Sequence, residues 1–396
     1  MSRQDVVETD ILIVGAGIAG PALAVALRDS GRKILILEKS DQPADTARGD
    51  HLQPYTQDIF ARWDVLDAMR DAGAEERCGS LWYAPDGQQV LFSDLSKLDI
   101  AYPHFLFLNH EKIAATLLDV ALRSPDVSIV RPLRNWWLDE SSASGTRIRV
   151  GMPDGAEQII NTKLLVGADG RASRVRKLFG FTPDSHHYEQ AIGVLFAKPE
   201  HPPAGNNLQV FLRQSRIISV IPRTGGHCKI GIPMPSAEAR EWRAASATEL
   251  QRRITEIVPE LKVSDVRFGD VYPPVSLSTD RWCKDSVVLV GDACHAMHPA
   301  RSQGMNIAIR CIDLLADQLR GEHAFDDVVQ TLADYEQLAR PPVNKMLADN
   351  HQQGLQMDKK VSDGYQNLQE RFAKLRGNKE ALTAYSMYAA GYRDPS

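Results

Sequence analysis

The chain has 396 residues, 43% of them hydrophobic, and a formal net charge of -5 at pH 7. That length and apolar content suit two or three packed domains and exclude a disordered or low-complexity chain. No basic stripe invites nucleic acid, and no long acidic run suggests a solvated tail. Ile11 to Leu27 is uncharged for long enough to mimic a signal or membrane segment, but Glu8 and Asp10 precede it and its glycines fit a turn. We therefore expect a soluble, cytoplasmic protein without a membrane span. The five cysteines, Cys78, Cys228, Cys283, Cys294 and Cys311, contain no C-x-x-C pair and read as reduced core residues.

The first predicted elements are a strand at Ile11 to Val14, a glycine turn, a helix over Pro21 to Asp29 and a second strand, Ile34 to Leu37, ending in Glu38. Gly15-Ala16-Gly17-Ile18-Ala19-Gly20 fits G-x-G-x-x-G, with a strand before it and a helix after it. Gly15 makes the turn, Gly17 lets the backbone approach a pyrophosphate, and Gly20 lets helix and strand pack closely. The phosphates belong on the free N–H groups at the helix start, where the dipole favours negative charge. Glu38, followed by Lys39, arrives at the spacing that holds the ribose of an adenosine and disfavours a 2′-phosphate. Arg48 emerges from the next loop, either as a counter-charge for the pyrophosphate or as a solvated loop arginine.

A helix carrying Ile59, Phe60 and Trp63 comes next, then a hairpin of Leu81 to Tyr83 and Gln89 to Phe92 around Pro85-Asp86-Gly87. The run Phe105 to Leu108 enters a helix, Glu111 to Leu122. Strand candidates at Val127 to Val130, Trp136 to Leu138, Arg147 to Val150 and Gln158 to Ile160 read as an antiparallel insertion. A buried strand then stops at Gly167-Ala168-Asp169-Gly170, and Ser173 is placed to cap a helix running to Phe179. From Tyr188 to Pro233 come four strands without helices: Ala191 to Phe196, Leu208 to Leu212, Ile217 to Ile221 and Cys228 to Ile232. They predict a second, mostly antiparallel sheet with a hairpin turn at Gly225-Gly226. A helix over Glu249 to Val258, capped by Thr248, precedes a strand-like stretch from Val263 to Ser276.

The apolar run Val287 to Val290 stops at Gly291-Asp292, and a helix begins after Pro299 and the Gly304-Met305-Asn306 turn. Asp292 at such a strand end can accept from a ribityl chain, and the turn offers N–H groups to an electron-rich ring edge. Cys294, His295 and His298 have no second ligand cluster nearby, so we assign no metal site. The remainder predicts helices at Asp326 to Leu338, a break at Pro341-Pro342, then Val343 to Gln356 and Val361 to Leu375, packing on the first domain or on a twin subunit.

These motifs, GAGIAG with Glu38, GADGRASRVR at 167 to 176, and GDACHAMHP leading to QGMN at 291 to 306, resemble the single-component FAD-dependent aromatic hydroxylases, the p-hydroxybenzoate hydroxylase family. Their order and spacing tie together nearly the whole chain. The resemblance implies an α/β fold in which a Rossmann-like FAD-binding domain carries an inserted antiparallel substrate sheet and C-terminal helices. The expected divisions are an FAD-binding part at 1–180, a substrate sheet at 181–277, an FAD-binding return at 278–340 and a helical segment at 341–396. It implies that Gly15, Gly17, Ala19 and Gly20 hold the FAD pyrophosphate, Glu38 and Lys39 the adenosine ribose, and Arg48 the phosphate side. Gly291 and Asp292 then hold the ribityl chain, Pro299 and Gly304 to Asn306 border the isoalloxazine, and Asp169 supports cofactor and reductant.

By the same resemblance the reaction uses NADPH or NADH, dioxygen and a small aromatic substrate, through a flavin C4a-hydroperoxide. His51 is either the imidazole nearest the substrate, able to deprotonate a phenol, or a surface loop residue. The chain departs from the family in reading Ser302-Gln303-Gly304 for G-Q-G, and Asn109-His110 where relatives commonly carry Pro-Arg. His110 thus stands at the cofactor where a fixed cation is usual. A weaker similarity points to a subgroup acting on quinolone precursors. A halogenase is disfavoured by the lack of W-x-W-x-I-P, and a flavin-binding redox sensor without turnover is the other alternative. Monomer and homodimer both remain open.

Overall fold

The computed structural model describes residues 6–42, 49–201, 207–358 and 364–392. Two large sheets share the chain. The centre of the first is parallel: Val6–Val14 lies between Ile34–Leu37 and Glu157–Gly167, flanked by Val127–Val130 on one side and Val287–Leu289 on the other. Helices cover such a sheet on both faces, which is why its strands are written as unbroken apolar runs. Ile11, Leu12, Ile13, Leu164, Leu165 and Val166 are fully buried. The helix Ala19–Leu27 packs against the helices His110–Ala121 and Gly304–Leu319. In register, Val14 stands beside Leu37 and Gly167, and Gly167 beside Leu289. The glycine turn, Glu38, Ala168-Asp169 and Gly291-Asp292 therefore leave the sheet along one carboxyl edge, where open α/β sheets bind their ligands.

The second sheet runs Val263–Tyr272, Ala191–Pro199, His227–Met234, Arg216–Arg223, Leu208–Arg213, Gly79–Tyr83, Gln89–Asp94. It is antiparallel except where Leu208–Arg213 runs parallel to Gly79–Tyr83. The early hairpin thus joins this sheet, so the sheet draws on residues from both sides of the expected division at 180. Tyr83 stacking on Phe211 at 4.8 Å fastens that join. Alternation sorts the strand side chains. Leu195, Ile218 and Val220 pack under the helices Ser236–Ala244 and Ala247–Ile257, while Val194, Ile217 and Ser219 face the opposite way into a cavity.

Several predicted elements are corrected. Gln158 to Ile160 and the strand ending at Gly167 are one continuous strand, Glu157–Gly167. The polar residues between them are satisfied in place, Asn161 by Glu8 at 2.6 Å and Lys163 by Asp10 at 2.8 Å. Ser246, not Thr248, caps the helix Ala247–Ile257, accepting from the Glu249 N–H at 3.3 Å. No break occurs at Pro341-Pro342, and one helix spans Val328–Asp358. The two prolines deprive the carbonyls of Gln337 and Leu338 of their donors, but both residues are exposed to water while Tyr335, Ala339, Val343 and Met346 stay buried.

A final helix, Lys379–Ala389, was not predicted; Asn378 caps it, accepting from Ala381 N–H at 3.0 Å. With Gly364–Arg376 it packs on the hairpin Gly79–Asp94 rather than on the first sheet, through Phe372 against Val90 and Leu91. No helix among the described residues is long and apolar enough to cross a membrane.

Candidate active site

A cleft of about 760 Å³ opens at the carboxyl edge of the first sheet. Gly15 has φ +113°, and a Cβ there would lie 2.5 Å from the Ala168 carbonyl oxygen, so the first turn packs directly on the second motif. At Gly20 a Cβ would lie 2.0 Å from the Gly15 oxygen, whereas at Gly17 it would meet nothing within 4 Å. The helix Ala19–Leu27 starts with no side-chain cap and no acid in its first turn. Its positive end is left to an anion from outside. Glu38 is fixed at the end of its strand, accepting from Ala16 N–H at 2.7 Å and Ser40 N–H at 2.8 Å.

Gly15, Gly17, Ala19, Glu38, Lys39, His110, Asp169, Gly291, Asp292, Pro299, Gly304 and Met305 all line this cleft. Gly20 lies behind it, and Arg48 lies outside the described residues. Asn306 is fully buried and turned away: its Oδ1 accepts from Gln53 N–H at 2.9 Å and Thr56 Oγ1 at 2.7 Å, and its Nδ2 donates to the His51 and Ser302 carbonyls. It thereby ties the strand carrying His51 to the turn at Ser302. Asp169 accepts from Ser173 Oγ and from the Arg174 and Val175 N–H groups, which orders the short helix Arg174–Leu178. His110 donates its backbone N–H to Asp50 at 3.0 Å, with Nδ1 3.2 Å from the Gly49 carbonyl.

A second cavity, of about 250 Å³, lies between the inner face of the second sheet and the C-terminal helices. It shares Gly49, Tyr272, Pro299 and Ser302 with the cleft, so the two volumes meet there. Phe105, Val194, Val210, Ile217 and Phe372 make its walls mainly apolar. His51 belongs to this wall and is no surface loop residue; it sits in a buried strand, His51–Leu52, and burial lowers its pKa to about 4. Beside it runs a buried charge cluster. Asp50 meets Lys229 at 2.7 Å and Arg223 at 3.3 Å, and Arg223 reaches Glu111 at 3.4 Å. These ions join the loop after the first motif to the second sheet.

A family model described as an FAD binding domain matches residues 8–350. The chain belongs to this FAD-binding family. It is 27% identical over 317 residues to 6-methylpretetramide 4-monooxygenase of Streptomyces rimosus, covering 77% of this chain and 74% of that one. It is 28% identical over 356 residues to ubiquinone hydroxylase UbiL of Rhodospirillum rubrum, covering 86% and 79%. Among solved structures, p-nitrophenol 4-monooxygenase PnpA of Pseudomonas putida superposes with a TM-score of 0.81 at 17% identity, over 99% of this chain and all of the other. PqsL of Pseudomonas aeruginosa, in complex with 2-aminobenzoylacetate, gives 0.77 at 24% identity over 94% of this chain. The protein is an FAD-dependent monooxygenase with the Rossmann-like fold and second sheet of that class.

The residues present fit FAD. An uncapped helix start, an open space over Gly17 and a fixed carboxylate at Glu38 are what an adenosine diphosphate group requires. The FAD cleft also holds Arg174 of the second motif and residues that the motifs did not mark: Arg131, Arg134, Asn135 and Trp136. Arg174 lies over the Trp136 ring at 4.9 Å and donates to Asn135, and Arg131 Nε donates to the Ser40 carbonyl at 2.7 Å. Val127–Val130, expected in an antiparallel insertion, instead pairs parallel with Ile34–Leu37 in the first sheet, and the loop leaving the carboxyl end of a parallel strand emerges at the ligand edge.

Proposed function

We propose that this flavoprotein hydroxylates a neutral or anionic aromatic small molecule held in the second cavity, with NADPH or NADH as electron source. The observation that carries this is the meeting of the two cavities at Gly49, Tyr272, Pro299 and Ser302, which sets a largely apolar chamber against the ring end of the FAD cleft. In the cleft, Gly15, Gly17, Ala19 and Gly20 would hold the pyrophosphate, Glu38 and Lys39 the adenosine ribose, and Gly291 and Asp292 the ribityl chain. Pro299, Gly304 and Met305 would border the isoalloxazine. Asn306 acts at one remove by fixing the turn, and Asp169 by fixing the second motif against Gly15. When reduced, FAD supplies the activation of dioxygen that no side chain provides.

The chain's own work is binding and exclusion of water. Phe372, Tyr385 and Tyr388 close the chamber from the side of the C-terminal helices. Its lining includes Lys229, Arg301 and Arg371 and, among the described residues, no carboxylate, which disfavours cationic substrates. Relatives named as monooxygenases and hydroxylases support the oxygenase reading over a halogenase or a redox sensor. The test is consumption of NAD(P)H and oxygen by the FAD-loaded protein across a panel of phenols, arylamines and quinone precursors, with mass spectrometry after reaction in heavy-isotope dioxygen. Product carrying one labelled oxygen atom is expected. Substrate-independent oxidation yielding only hydrogen peroxide across the panel would overturn the proposal.

A further inference from the structure

Gly354 lies inside the long helix Val328–Asp358, where a glycine costs about 1 kcal/mol relative to alanine. Its backbone is not left-handed, so the helix itself gives no reason for it. The reason is tertiary. A Cβ at Gly354 would lie 2.5, 2.7 and 2.9 Å from Cε1, Cζ and Oη of Tyr188, whose buried ring fills the place of the missing side chain. That ring has little freedom to swing aside. The rings of His298 at 4.6 Å and His186 at 4.8 Å stand around it, and its Oη is 2.8 Å from His351 Nδ1, on the same helix as Gly354.

The contact joins two segments that border the chamber. Tyr188 leads into the strand Ala191–Pro199, whose Ile192 and Val194 line the second cavity. His298 immediately precedes Pro299, where the cavity meets the FAD cleft. The end of the long helix grips both. Asn350 Nδ2 donates to the His298 carbonyl at 3.0 Å, and Arg301 Nε donates to Gln353 Oε1. The Asp358 carboxylate accepts from the Glu189 and Gln190 N–H groups at 2.9 and 3.0 Å. His298 passes its position on to the turn, since its Nδ1 accepts from Ala300 N–H at 3.1 Å. Tyr188 therefore stands between the helix end, the entry to the second sheet and the seam turn.

We infer that Tyr188, seated on Gly354, is a positioning residue for the oxygenation: it sets the spacing of the turn Pro299 to Ser302 against the second sheet and so keeps water from the ring end of the flavin. It lines neither the cleft nor the cavity and acts through His298. This rests on the reading that the isoalloxazine lies at that seam. Gly354 is the socket that allows the spacing, and the ring, more than the hydroxyl, maintains it.

The test reads the oxidised FAD-loaded protein without substrate. The long-wavelength flavin band shows a resolved shoulder in a dry site and a smooth profile in water, and iodide quenching of flavin fluorescence reports access directly. In Gly354→Ala the Tyr188 ring must move by about 0.9 Å to reach ordinary contact, and His298 with it. The shoulder should be lost and iodide should quench at least about twofold more steeply, while FAD affinity stays within about twofold of wild type. Tyr188→Phe, which keeps the ring, should retain the wild-type spectrum. Tyr188→Ala should lose the shoulder, and adding Gly354→Ala to it should change nothing further, because no ring meets the new methyl. A wild-type spectrum and quenching in Gly354→Ala, even with a lowered melting temperature, would leave Tyr188 a structural residue only and overturn the inference. So would a lost shoulder in Tyr188→Phe, additive effects in the double variant, or FAD affinity falling in step with the spectrum. A smooth, freely quenched band in wild type overturns the placing of the flavin ring at the seam as well, and failure of wild type to take up FAD overturns the cofactor reading itself.

Discussion

The two glycines Gly17 and Gly20 stand in one turn, yet the structure gives them separable tasks. At Gly20 an added methyl would lie 2.0 Å from the Gly15 oxygen, 3.1 Å from Ile13 Cγ2 and 3.2 Å from the Gly15 carbonyl carbon. Two of these neighbours are backbone atoms, and Ile13 and Gly15 are buried, as is the helix from Gly20 to Leu27. Reaching ordinary contact requires helix and strand to part by about 1.4 Å, and overpacking of that kind costs about 3 kcal/mol. Gly20→Ala should therefore lower the melting temperature of the FAD-free protein by roughly 3 to 4 °C.

At Gly17 the methyl meets no protein atom, and φ lies outside the left-handed region. Gly17→Ala should leave the FAD-free protein as stable as wild type or up to about 1 kcal/mol more stable, because it restricts the unfolded chain. In the proposed binding mode the space it fills is that of the pyrophosphate, so FAD affinity should fall by about 1.5 to 3 kcal/mol, roughly 10- to 150-fold. Thermal unfolding of the FAD-free protein, paired with fluorescence titration of FAD, measures both quantities in both variants. Undiminished FAD affinity in Gly17→Ala, or wild-type stability in Gly20→Ala, would refute the assignment.

Asp292→Ala should weaken FAD binding by about 1.5 to 3 kcal/mol, the worth of a hydrogen bond to a charged group, and an unchanged dissociation constant would remove it from the ribityl site. Burial lowers the pKa of His51, His295 and His298 from 6.5 to about 4, so the unfolded chain takes up these protons first as the medium is acidified. Their contribution is fully present above about pH 6.5 and is lost as pH falls towards about 4, amounting to several kcal/mol in all. A denaturant midpoint that stays flat from about pH 7 to 5 would contradict this. Ser246→Ala should cost about 1 kcal/mol and Thr248→Ala under 0.5 kcal/mol in chemical unfolding, since Ser246 alone of the two makes the cap bond. His110→Arg, which restores a fixed cation to the FAD cleft, should speed flavin bleaching by NADPH in stopped flow; a rate unchanged or lowered would show that cations already lining the cleft, such as Arg131 or Arg174, serve instead.

What the chain made legible were features whose cause is local. Parallel strands buried on both faces must be apolar throughout, so Ile11 to Val14, Ile34 to Leu37, Leu164 to Val166 and Val287 to Val290 can be read directly. A turn that demands φ +113° and close backbone approach leaves its glycines in the text. Those constraints mark three of the motifs around the cleft, in order, in the sequence itself. His295 and Cys294 share the third motif and are buried in the core, His295 against the Trp282 ring.

Tertiary structure decided whatever depends on partners far along the chain. The hairpin Gly79–Asp94 looks the same whether it closes on itself or joins a sheet more than a hundred residues away, and the pairing of Ser80 to Tyr83 with Leu208 to Phe211, with Tyr83 stacked on Phe211, fixes which. Asn161 and Lys163 look like a strand break until Glu8 and Asp10 are found beside them. Two prolines look like a helix end until a buried face shows packing strong enough to carry the helix through. His51 is the sharpest case. A histidine after a polar loop has no local signature of burial, and its neutrality and its place on the wall of the second cavity arise because Phe105, Phe107 and Asn306 converge on it from 54 to 255 residues away. Sequence determined where the cofactor edge lies because backbone geometry constrains residue type locally; the second cavity was left to packing, which tolerates many apolar residues and takes its shape from how distant elements meet.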